Sequence, residues 1–140
     1  MRLAHALALL PLLAVPGMAA EPEKIVRSVL PGETVRVYIA YHVERDCTRS
    51  GEIRLAMIEP PAQGRLFLKE TTTRGGFSYN NPRYACNQRE IPAVEVVYEA
   101  SGKADGLQRA RYGLVFGDGQ MRLIDAEITV WAPPAEPKAE

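Results

Sequence analysis

The sequence predicts an all-β domain in which two antiparallel sheets pack face to face. Three observations predict it. Apolar residues recur with a period of two and nowhere sustain a 3.6-residue pattern; about seven such runs are separated by connections containing Gly or Pro; and the length suits one hydrophobic core. This pattern specifies an immunoglobulin-like antiparallel β-sandwich of about seven strands, and a small β-barrel is the alternative closure of the same strands.

The chain begins with a stretch that is not part of that domain. Arg2 supplies a positive start, residues 6–15 are apolar apart from Pro11, and Gly17, Met18 and Ala19 bring small residues to the positions a signal peptidase reads. An apolar core of about ten residues is half of the roughly twenty needed to span a bilayer, so residues 1–19 read as a cleaved signal peptide and not as an anchor. The expected domain covers residues 20–131. Residues 132–140, with Pro133, Pro134 and Pro137 among small and charged residues, read as a disordered, solvated tail. Export places the protein in the periplasm or outside the cell.

The strands follow in order. Residues 24–30 are a β-branched run closed by the turn pair Pro31-Gly32. Next, Val35, Val37, Ile39, Tyr41 and Val43 face the core, and Arg36, Tyr38, Ala40 and His42 alternate outward. Residues 52–58 and 65–70, joined through Pro60, Pro61 and Gly64, are expected to pair as a hairpin. Residues 71–90 are polar and read as one long loop tied down at Cys86, with Pro92 just beyond it. Strands resume at 93–100, where Val94, Val96 and Tyr98 share a face, and then at 107–116 and 120–131. Gly117-Asp118-Gly119 between the last two is a hairpin signal, and Leu123 beside Ile124 predicts a bulge.

Export also decides how the two cysteines read. In an oxidising compartment Cys47 and Cys86 form a disulfide, and their wide spacing is unlike a C-x-x-C redox or zinc pair. The closed ring of about 40 residues contributes roughly 4 kcal/mol by loop entropy. With 17 basic and 17 acidic residues the chain is balanced, and removal of Arg2 leaves it nearly neutral, so no nucleic-acid partner is implied.

Several short motifs carry a resemblance. Ile58-Glu59-Pro60-Pro61-Ala62-Gln63-Gly64-Arg65-Leu66 is followed by Val97-Tyr98-Glu99-Ala100, Gly102, Gly106, Gly117-Asp118-Gly119 and the closing Ala126-Glu127-Ile128-Thr129-Val130. Over residues 58–130 this resembles the bacterial cadherin-like or Ig-like module, in a single copy. The resemblance implies the sandwich fold more than an activity. Ala100 stands where the family pattern has proline, and Gln108 where it has aspartate. Calcium takes roughly six to eight oxygen ligands, and the chain has no D-x-D or clustered aspartates to supply them, so no metal site is expected.

Catalytic residues are not apparent in the pattern. His42 is the single histidine of the mature chain, and strand alternation turns it to solvent away from any obvious nucleophile. Glu95 and Glu99 share a strand face, but four residues at about 3.3 Å each set them some 13 Å apart, beyond the spacing of paired glycosidase carboxylates. Met57 and Met121 lie in apolar strands and read as core. No cofactor is implied.

The cysteine neighbourhood is the best functional pointer. Arg45 and Arg49 flank Cys47, while Arg74, Phe77, Tyr79, Arg83, Tyr84 and Arg89 surround Cys86. A bridge gathers them. Guanidinium forks and rigid rings make a recognition patch for an envelope protein or an anionic envelope polymer. The competing reading has the arginines keep the loop soluble and the aromatics pack beneath it. The protein thus reads as an exported binding or structural domain, with a small exported enzyme or inhibitor, its site assembled from loops, as the alternative.

Cleavage after Ala19 is the first expected outcome, measured by mass spectrometry of exported protein. A product that retains residues 1–16 contradicts it.

Overall fold

Ile124, Ala126, Ile128 and Val130 are all buried, and the residues between them face outward, so the last strand lays one unbroken apolar edge against the interior. The computed structural model describes residues 20–134 and 136–139; the expected signal at 1–19 lies outside the described residues. Seven strands form: β1 Glu23–Val29, β2 Thr34–Ala40, β3 Arg54–Glu59, β4 Arg65–Arg74, β5 Glu90–Glu99, β6 Gly106–Val115 and β7 Met121–Val130. Among the described residues one 3-10 turn forms, Tyr84–Gln88. In the tail, residues 131–134 and 136–139 are exposed and carry no strand or helix.

One sheet runs β1-β7-β6-β3 and the other β2-β5-β4, as a sandwich and not a closed barrel. Lettered A to G in chain order, the strands pair as B-E-D and C-F-G, the immunoglobulin arrangement, with the first strand set beside G. That first strand pairs parallel with β7, an exception to the antiparallel rule of the other strands. Tyr98 and Tyr112 are the largest fully buried side chains, packed with Val37, Val96, Leu114 and the inward residues of β7.

The expected hairpin between the third and fourth strands does not form. Arg54 of β3 pairs with Val115 of β6, and Arg65 of β4 pairs with Glu99 of β5, so the connection at 60–64 crosses from one sheet to the other. Two buried side chains, one from each sheet, hold it there. The Tyr98 hydroxyl donates to the Gln63 carbonyl at 2.7 Å, and the Gln63 amide donates to Gln108 Oε1 at 3.0 Å. Gly64 follows at φ +81°, where a Cβ would lie 2.5 Å from the Glu99 carbonyl oxygen.

Other departures have local causes. β4 continues through the β-branched Thr71, Thr72 and Thr73 to Arg74, pairing with Glu90 to Ala93, so the long loop narrows to 75–89. Pro92 is tolerated in β5 because it lies beyond the last β2 pair, Ala40 with Val94, where β5 has a neighbour on one side only. In β2 a register shift between Arg36 and Tyr38 turns Ala40 inward against the expected alternation and leaves His42 half-buried. β7 carries no bulge: Leu123 pairs with Gly113 and Ile124 with Tyr112 in unbroken register. Met57 and Met121 are exposed and not core. Met57 sits at a register shift in β3, and Met121 covers the bare Cα of Gly113, where a Cβ would meet its sulfur at 2.7 Å.

Gly64→Ala is expected to lower stability by about 1–3 kcal/mol, since it adds a left-handed backbone strain and a clash with backbone. Urea denaturation measures it. Unchanged stability contradicts the account of the crossover.

Candidate recognition site on the stapled loops

Residues 42–50 double back on themselves because their polar groups satisfy one another locally. Val43 bridges Arg49, the Glu44 amide donates to the Thr48 carbonyl at 2.8 Å, and the Cys47 amide donates to the Glu44 carbonyl at 2.9 Å. Asp46 accepts from the Thr48 hydroxyl at 2.6 Å and from its amide at 3.1 Å. The Thr48 hydroxyl, first among the causes, holds the Asp46 carboxyl below its ordinary value, so what this carboxylate lends the turn is full above that value and is lost as the pH falls through the lowered one. At the turn Cys47 takes φ +70° and directs its sulfur to Cys86.

The disulfide between Cys47 and Cys86, with Cα atoms 5.6 Å apart, ties this turn to the 3-10 segment. Around it lies a second small core of Val43, Cys47, Cys86 and Ile91, flanked by Tyr41 and Phe77. The loop 75–89 is fixed further by a reciprocal pair, in which the Phe77 amide donates to Asn87 Oδ1 and Asn87 Nδ2 donates to the Phe77 carbonyl, both at 2.9 Å. Gly76 donates to the Tyr41 hydroxyl at 2.9 Å, and the Tyr41 and Phe77 rings meet edge-on at 5.5 Å. These contacts leave the loop few ways to rearrange.

The expected patch residues divide by what they touch. Arg83 Nε donates to the Val43 carbonyl at 2.6 Å, and Arg89 Nη2 donates to the Asp46 carbonyl at 3.0 Å, so both cross-brace the two loops. Arg49 turns away to pair with Glu70 of β4 at 2.7 Å. Arg45 is exposed at the turn and Arg74 is exposed at the end of β4, opposite Glu90; among the described residues neither has an ion-pair partner. Phe77 is half-buried beneath the loop. Tyr79 and Tyr84 point out, 86% and 41% exposed, and stack edge-on with centroids 5.4 Å apart.

His42 is where strand alternation misled. The shift in β2 brings its ring edge-on to Phe116 at 5.8 Å, with Nδ1 3.2 Å from the Ser50 carbonyl and Nε2 3.8 Å from Asp118. The cavity beside it, lined also by Arg49, Glu52 and Glu70, holds about 60 Å3, room for about two waters. The Ser50 hydroxyl donates to Glu44 at 2.5 Å and not to the imidazole, so Ser50 is not paired with His42 as a nucleophile. Among the described residues, no three His, Cys, Asp or Glu side chains gather as metal ligands, and no helix is long and apolar enough to cross a membrane.

Comparison of the chain with protein-family models, curated proteins and solved structures returns no match. The residues themselves therefore carry the functional argument.

Cys47→Ser and Cys86→Ser, each alone, are expected to lower stability by about 2–5 kcal/mol. The double change should cost about as much as either, because one bond is lost each way. Chemical denaturation and thiol titration read this out. Single variants as stable as the unaltered protein contradict it.

Proposed function

We propose that this protein is an exported immunoglobulin-like domain, akin to the cadherin-like modules, that binds a protein partner of the cell envelope through the stapled loops. The observation that carries the reading is the outward tyrosine pair, Tyr79 and Tyr84, on a loop held by a disulfide and two cross-bracing arginines. Tyrosine supplies large contact area at a small cost in side-chain entropy, and a loop already ordered loses little more on binding. Tyrosine is enriched among the residues that anchor protein interfaces.

An arginine-led contact with an anionic polymer has less support. Arg49, Arg83 and Arg89 are engaged within the protein, which leaves Arg45 and Arg74 as the cations of the patch without such bonds. The contact is then chiefly aromatic, and it weakens only slightly with added salt.

Tagged protein captured from envelope extract tests the reading. The Tyr79→Ala, Tyr84→Ala double variant is expected to lose its partner and stay folded, with a stability loss of about 1 kcal/mol that comes from the covered part of Tyr84. Arg83 and Arg89 are left in place because their loss frees the loop. Equal capture by the double variant contradicts the proposal, and so does capture abolished by moderate salt.

A further inference from the structure

We propose that the groove between β1 and β2 is a second binding site, and that it takes a carboxylate-bearing sugar of the uronic acid class. β1 is the edge of one sheet and β2 the edge of the other, so one side of the sandwich stays open between them. A trough of about 600 Å3 lies there, lined by Glu23, Arg27, Tyr38, Tyr41, Phe77 and Arg122 over a floor of Ile25, Ile39 and Ala40. Small-molecule sites occupy roughly 300–1,000 Å3.

The register shows why charges stand in it. Glu23, Ile25 and Arg27 pair with Ile124, Ala126 and Ile128, the inward residues of β7, so these β1 side chains face the opposite sheet. Inward charges on an edge strand commonly guard it against pairing with another chain. Arg27 does this, donating from Nε to the Arg36 carbonyl at 3.1 Å and from Nη1 to the Val26 carbonyl at 2.8 Å. Arg122 has no such duty. Its Nη1 donates to the Tyr38 hydroxyl at 2.6 Å and its guanidinium lies 5.8 Å from the centre of the Phe116 ring, and among the described residues no carboxylate pairs with it.

A guanidinium oriented by neutral groups keeps free donors in the planar arrangement that a carboxylate accepts. Tyr38 in turn donates to Glu23 at 3.2 Å, which leaves a carboxylate oxygen to accept from a sugar hydroxyl. The edge-on rings of Tyr41 and Phe77 supply apolar surface beside these polar groups. A neutral sugar leaves Arg122 unmatched, and a hydrocarbon acid leaves Glu23 and Tyr38 unmatched. The uronic acid ring answers both.

Amide chemical shifts of the exported protein, followed while a glucuronic acid oligosaccharide is added at low ionic strength, test this. A neutral glucose oligosaccharide of equal length and a short peptide with a free C-terminal carboxylate are the comparisons. The expected result is saturable shifts at Glu23, Arg27, Tyr38 and Arg122 with the acidic sugar, and affinity weakened about tenfold or more by Arg122→Gln. Arg122→Lys, which keeps the charge and loses the fork, should weaken it as well, with the melting temperature held in both variants. Tyr79→Ala should leave this affinity unchanged, which separates the groove from the loop face. No saturable shift at the trough, equal affinity for the neutral sugar, tighter binding of the peptide, or undiminished binding by either Arg122 variant overturns the proposal.

Discussion

The bond between Cys47 and Cys86 is the constraint on which the non-strand part of this molecule depends. Residues 75–89 have no sheet partner, and a segment of that length left free pays a large conformational entropy to hold one shape. The bridge fastens its C-terminal part to the turn at 42–50, and the small core of Val43, Ile91 and the two sulfurs forms around that point. Hydrogen bonds from Arg83, Arg89 and Asn87, and from the Gly76 amide to the Tyr41 hydroxyl, then work on loops already close together. Their geometry leaves the stacked rings of Tyr79 and Tyr84 on the outer face of the loop.

The sandwich has a different anchor. Tyr98 and Gln108, buried on facing sheets, hold Gln63 between them and so send the chain from β3 across to β4. Once that crossing is set, β4 pairs with β5 and β3 with β6, and each sheet ends in a strand whose outer edge is open. On one side the open edges are β1 and β2, where charged side chains stand inward and the trough with Arg122 lies. The two proposed sites thus arise from separate features of the fold, one from a covalent bond and the other from unpaired sheet edges.

Much of the strand order could be read from alternation, because Ile124, Ala126, Ile128 and Val130 or Val94, Val96 and Tyr98 show a period of two without ambiguity. The partners could not. Whether 52–58 pairs with 65–70 is decided by Tyr98 and Gln108, 35 and 45 residues from Gln63 in sequence. Thr71 to Arg74 looked like loop because it opens a polar segment with Pro92 just beyond it, and His42 looked solvated because one inserted residue in β2 has no sequence mark. In the same way the arginines near the cysteines were visible as a group. Their division into braces and free cations depends on carbonyls some 40 residues away, which residue type does not reveal.

The central claim is that the bridge shapes the loop face while the sandwich stands on its own core. Hydrogen exchange at individual amides, compared between the oxidised protein and the same protein reduced and alkylated, tests it most directly. The account predicts that Phe77, Arg83, Cys86 and Ser50 lose protection on reduction while the amides of β5, β6 and β7 keep most of theirs. Protection unchanged in the loops, or lost equally through every strand, contradicts it.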